Sequence, residues 1–188
     1  MDGHRALALV LSPVTIGLLV VLAIGFRERD PLGLLISIIF IVLMPIADVI
    51  RRYLRGEIDI LVPERSIRGK FFLEASLSYS IGFILLRFFG SRTLSALALT
   101  YLLVSLTLML INRKVTKVSV HMAGITGPAT FLLYSGNELG YPIILLIPIL
   151  AWSRWKSGSH TIGQVILGIL VSSLITLMTC SFLRLENR

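Results

Sequence analysis

The chain alternates between long apolar runs and short basic junctions, and that alternation leaves few folds open to it. Residues 93–111 carry no charged side chain, nor do 6–26 and 161–183, while 32–50 and 71–89 carry very few. A helix needs about 20 apolar residues to cross the hydrocarbon core of a bilayer. In lipid, each segment must also satisfy its own backbone hydrogen bonds. Composition points the same way: 55% of the 188 residues are hydrophobic and the mean hydropathy is +0.89. A soluble domain of this size cannot bury so much apolar surface. The expected fold is therefore all-α: one multi-span membrane domain over residues 1–188, a six-helix bundle. Its spans fall near 6–26, 32–50, 71–89, 93–111, 122–152 (a helical hairpin or two short spans) and 161–183.

The junctions carry the remaining information. Pro13 predicts a kink in the first span, which is too long for a signal peptide and lacks a small-residue cleavage site. Residues 27–30 form a tight polar turn, and Pro31 suits a helix start. Asp48 stands beside Arg51 and Arg52 near the end of the second span, which reads as a neutralised helix end. Residues 51–70 are the longest polar segment, and its length, mixed charges, Gly56 and Pro63 suggest a loop, alone or with a short interfacial helix. Arg65, Arg68 and Lys70 cluster at its end, either as headgroup anchors or as a phosphate clamp. Glu74 lies one turn after Lys70, so a local ion pair is its plain role and contact with an active-site His the sharper one. Cys180 lies within an apolar run, which excludes a disulfide framework and a Cys metal site. The net charge of +8 does not imply nucleic acid, because basic loops of membrane proteins set topology or meet lipid phosphates.

The densest chemistry lies between residues 153 and 165. Arg154, Lys156, three Ser and His160 gather there just before the last apolar run. His160 thus stands at a helix N-terminus, where backbone N–H groups and the helix dipole favour an anion. Arg154 adds a planar fork suited to phosphate oxygens. Gln164 is one turn on, on the same helix face, where it can orient the imidazole. The stripe His160, Gln164, Gly168, Ser172, Thr176 turns this face into the bundle, with packing the expected role of its last three members.

Ser153-Arg154-x5-His160-x3-Gln164 resembles the third signature of the type 2 phosphatidic acid phosphatase (PAP2) superfamily, Ser-Arg-x5-His-x3-Asp. The family's Asp is Gln164 here. Val118-Ser119-Val120-His121 keeps the Ser and His of the second signature, Pro-Ser-Gly-His, and Arg68-Gly69 stands where the first, Lys-x6-Arg-Pro, would end. Two short apolar segments join His121 to Arg154, as the family's helical hairpin does.

The resemblance implies a metal-independent lipid phosphatase of the cell membrane, with no cofactor. Its partners would be a lipid phosphate or diphosphate, isoprenoid or glycerolipid, and the surrounding membrane lipids. His160 would attack phosphorus and His121 would protonate the leaving oxygen. Gln164 would orient His160, with Glu74, Asp59 or Glu64 as stand-ins for the missing carboxylate. Arg154, Arg65, Arg68, Lys117 and Ser119 would hold the phosphoryl oxygens. The alternative is a non-catalytic protein that binds or transports lipid phosphates on the same fold. A metal site on His121 and His160 lacks a ligand motif, and a prenyltransferase lacks Asp-rich motifs. The face that holds the motifs collects most of the Lys and Arg, which argues for the cytoplasm. A phosphate site gathers cations for its own reasons, so orientation stays open.

Overall fold

The computed structural model describes residues 3–62 and 64–185. Every regular element among them is helical. α1 (Gly3–Val10) is short, and α2 (Pro13–Glu28) follows it. The kink expected at Pro13 is a full break: Ser12 caps α2 through Thr15 N–H at 3.2 Å, with Pro13 in the first turn. α1 folds back against the later chain. His4 Nδ1 lies 3.3 Å from Ser153 Oγ, and Arg5 pairs with Asp59 at 2.8 Å.

α3 (Pro31–Ser37) starts on Asp30, whose carboxylate accepts Gly33 N–H at 2.8 Å. A π-helical turn, Ile38–Leu43, joins it to α4 (Met44–Leu54). Pro45 explains the turn. Proline has no N–H to donate and its ring crowds the carbonyl four residues back, and one wide turn relieves the clash. Ser78 Oγ donates to the Phe40 carbonyl within that turn at 2.7 Å. α4 runs beyond the expected end at residue 50, because Asp48 bonds Arg52 Nε at 2.9 Å one turn on and also pairs with Arg51. Lys70 Nζ reaches the same carboxylate at 3.0 Å and Glu74 at 3.3 Å. The neutralised helix end and the local Lys70–Glu74 pair are thus both present.

α5 (Arg65–Phe89) and α6 (Arg92–Lys114) form an antiparallel hairpin. Arg65, Arg68 and Lys70 therefore sit on the first turns of α5 rather than on a loop before it. Pro63, part of that expected loop, lies outside the described residues. α7 (Val120–Tyr134) and α8 (Gly140–Lys156) make the second hairpin, and α9 (Ile162–Phe182) closes the bundle. α7 is the core helix and packs against α2, α8 and α9.

The stripe on α9 faces α7. A Cβ on Gly168 would lie 2.7 Å from the Ser119 carbonyl oxygen, so hydrogen there lets the two backbones touch. Ser172 and Thr176 are buried beside Gly127 and return their hydroxyls to carbonyls one turn back, at 2.9 and 2.7 Å.

Among the described residues, five helices are long and apolar enough to cross a membrane: 3–28 (α1 and α2 taken together), 31–54, α5, α6 and α9. That is the make-up of a multi-pass membrane protein. α7 and α8 are shorter, at 15 and 17 residues.

One end of the bundle gathers the short turns. Thr93 Oγ1 donates to Glu28 at 2.8 Å, Ser91 N–H donates to Asp30, Arg27 donates to the Ser135 carbonyl at 3.0 Å, and Arg92 donates to the Leu183 carbonyl. The other end gathers the basic junctions.

A buried cationic site around His160

Arg154 and His160 meet because the chain reverses between them. α8 ends at Lys156, and Gly158 takes φ +68°, a conformation that a side chain would strain. His160 N–H then returns to the Arg154 carbonyl at 3.1 Å. Thr161 starts α9 with a capping box. Its hydroxyl accepts Gln164 N–H at 3.3 Å, and Gln164 Oε1 accepts Thr161 N–H at 3.3 Å.

That capping box fixes the His160 tautomer. Only the amide oxygen of Gln164 can accept a backbone N–H, so Oε1 is the atom that faces Thr161. Gln164 Nε2 donates on its other side to Thr116 Oγ1 at 3.3 Å. His160 Nδ1 lies 3.1 Å from the same Oε1 and must therefore carry the hydrogen. Nε2 is left with a bare lone pair, buried and without a hydrogen-bond partner among the described residues. Burial first, then the Arg68 and Lys117 charges, push this imidazole down to about 3, so it is neutral at physiological pH.

Three cations surround it. Arg68 donates from Nε to the Val62 carbonyl at 3.0 Å and from Nη1 to the Val118 carbonyl at 2.9 Å. Lys117 Nζ donates to the Ser159 carbonyl at 3.0 Å. The Arg154 Nε is buried with no hydrogen-bond partner among the described residues. Burial, then the Arg68 and Arg154 charges, lower the Lys117 amine below the usual lysine range. Arg68, His121, Arg154 and His160 are each no more than 7% exposed. Among the described residues no carboxylate pairs with Arg68, Lys117 or Arg154.

His121 stands on the second residue of α7, close enough to feel Arg154 and Arg68. Both its ring nitrogens are buried without a hydrogen bond among the described residues, and the facing Ala8 backbone falls outside hydrogen-bond geometry.

The remaining sequence candidates are engaged elsewhere. Arg65 is exposed and its Nε donates to the Asn112 carbonyl at 2.6 Å, which staples α5 to α6. Ser119 is fully buried and caps α7 through Met122 N–H at 3.4 Å, while its own N–H goes to the Gln164 carbonyl at 3.3 Å. Glu74 is held by Lys70 and Asp59 by Arg5, and Glu64 is exposed with no ion pair among the described residues. No carboxylate replaces the Gln164 oxygen at His160 Nδ1.

Thr116 and the Ser159 carbonyl had no sequence signal, because each acts only through a side chain that folding brings to it. No cluster of three His, Cys, Asp or Glu side chains stands among the described residues.

The fold and site define a class: a multi-pass helical membrane protein whose basic end buries two arginines and two histidines, with Lys117 half-buried beside them. No family model matches the chain, and no curated protein or solved structure gives a significant match.

Proposed function

We propose that this protein is a membrane lipid phosphatase of the PAP2 kind, with the α7–α8 hairpin as the sixth unit of the bundle beside the five spans. It would hydrolyse a lipid phosphate or diphosphate through a phosphohistidine on His160, without metal. The observation that carries this reading is that buried Arg68 and Arg154, with half-buried Lys117 beside them, have no carboxylate partner among the described residues. Several kcal/mol oppose burying each unpaired charge. Arg68, Lys117 and Arg154 together call for a compact, multiply charged acceptor, and a phosphoryl group has that chemistry.

His160 Nε2 attacks phosphorus, and the bond to the lipid oxygen breaks. The amide of Gln164 holds Nδ1–H, so the lone pair stays aimed at the incoming phosphoryl group. Arg154, Arg68 and Lys117 balance the charge that develops on the oxygens. His121 supplies the proton to the leaving oxygen. Burial, then the Arg154 and Arg68 charges, oppose a charge on His121, and a bound phosphate offsets the two arginines. Substrate binding and proton uptake at His121 are therefore coupled. A water then attacks the phosphohistidine with His121 as base, which frees phosphate and His160.

The test is phosphate release by purified protein from a panel of lipid mono- and diphosphates with chelator present. Wild type is expected to turn over at least one of them, and His160→Ala and His121→Ala to lose that turnover. No release from any lipid, with equal lipid binding by wild type and His160→Ala, would leave a binding or transport protein instead.

A further inference from the structure

A cavity of about 450 Å³ has Arg68 and His121 in its wall but not Lys117, Arg154 or His160. It runs down the bundle from that polar end. On α5 its lining passes from Arg68 through Ala75 to Tyr79, and on α7 from His121 to Phe131. Arg68 and Tyr79 are separated by roughly 16 Å of helix at the usual rise per residue. At the far end the Tyr79 and Tyr101 rings pack with centroids 5.3 Å apart, over Leu97 and Phe131.

We propose that this cavity is a chain pocket that takes one alkyl or isoprenoid chain of a single-chain lipid phosphate. The Tyr79–Tyr101 pair ends it and sets the chain length. This inference rests on the phosphate-site reading above.

Size and charge argue for that occupant. An apolar cavity of about 150 Å³ holds one benzene ring. The space here therefore holds hydrocarbon equivalent to roughly three rings, which suits one lipid chain and excludes two. Among the described residues the only charged group in the lining is Arg68, at the end where a phosphate headgroup belongs. His121 stands where chain and headgroup join, beside the oxygen that would leave.

The experiment uses the full chain in nanodiscs and monoalkyl phosphates that carry a diazirine at the chain end. Photolabelled residues are mapped by mass spectrometry. Labels are expected on Tyr79, Leu97, Tyr101 and Phe131 for chains up to a limiting length. Ala75→Trp should cut that labelling at least tenfold, and Tyr101→Ala should raise the limiting length. Labels confined to the outward-facing Leu77, Ile81 and Phe88 would overturn the pocket. So would pocket labelling that Ala75→Trp and Tyr101→Ala leave unchanged, or a dialkyl phosphate that labels it as well.

Two controls separate this idea from the reading it rests on. Pocket labelling retained in His160→Ala, in a protein that releases no phosphate, supports the pocket and sinks only the catalytic step. Labelling by the matching uncharged alcohol as strong as by the phosphate would overturn the phosphate head while leaving the chain site in place.

Discussion

At the residue scale, the Gln164 side chain does for His160 what a carboxylate would do by geometry, without the charge. Its amide is held on three sides, by Thr161 N–H, Thr116 Oγ1 and His160 Nδ1. Gln164→Leu should destabilise the protein by about 1–3 kcal/mol and release the imidazole from its single tautomer. Thermal unfolding and phosphate release would both fall.

The pH dependence has a definite sign. His160 titrates at about 3 in the fold against 6.5 as a free side chain. The unfolded chain therefore takes up this proton first. The stability tied to neutral His160 is fully present above pH 6.5 and is lost as pH falls from there through about 3. Arg68, Lys117 and Arg154 are the charged neighbours that enforce it. His160→Gln should flatten the acid loss of thermal stability over that window, and an unchanged acid slope would contradict the assignment.

The spacing from Arg154 to Gln164 is legible in sequence because one loop and one helix turn fix it. Arg65 is not: the same cationic character serves a clamp or a staple, and only the approach of the Asn112 carbonyl decides.

At the scale of elements, the α7–α9 contact sets how closely His121 and His160 approach. Gly168→Ala places a methyl group 2.7 Å from the Ser119 carbonyl oxygen and 3.2 Å from Met122 Cβ, so α9 must move away from α7. A loss of about 1–3 kcal/mol is expected, with phosphate affinity reduced alongside. Gly69→Ala is the matched control. It lies within α5 with nothing within 4 Å of the added Cβ. It should stabilise by roughly 0.5–1 kcal/mol through helix propensity alone. Thermal unfolding of both variants checks the contrast.

Caps and turns were largely readable: Pro31 starts α3, and residues 135–139 join the α7–α8 hairpin. The π-helical turn was not. Pro45 announces an interruption, but its form depends on which neighbour reaches the freed carbonyl, and Ser78 lies 38 residues from Phe40.

At the scale of the molecule, the chain has two ends with different chemistry. Arg68, Lys117, Arg154 and the two histidines occupy one, and the turns that hold Arg27, Ser91 and Ser135 occupy the other. Single cysteines at Ser157 and Glu64, in a Cys180→Ser background, should react with an impermeant maleimide from the same side of a sealed vesicle. Cysteines at Arg29 and Asn137 should react from the opposite side. Reaction of all four from one side would contradict the arrangement. Apolar run length made the bundle legible without any contact information. The cavity was not legible, since its wall draws residues from several helices whose relative rotation the sequence does not state.

The most direct test of the account is to quench turnover of a labelled lipid phosphate and look for the phosphoryl group on the protein. An acid-labile, base-stable phosphate on His160 Nε2, absent from His160→Ala, is the expected result. Turnover that leaves no phosphate on His160, or that places it on another residue, would contradict the account.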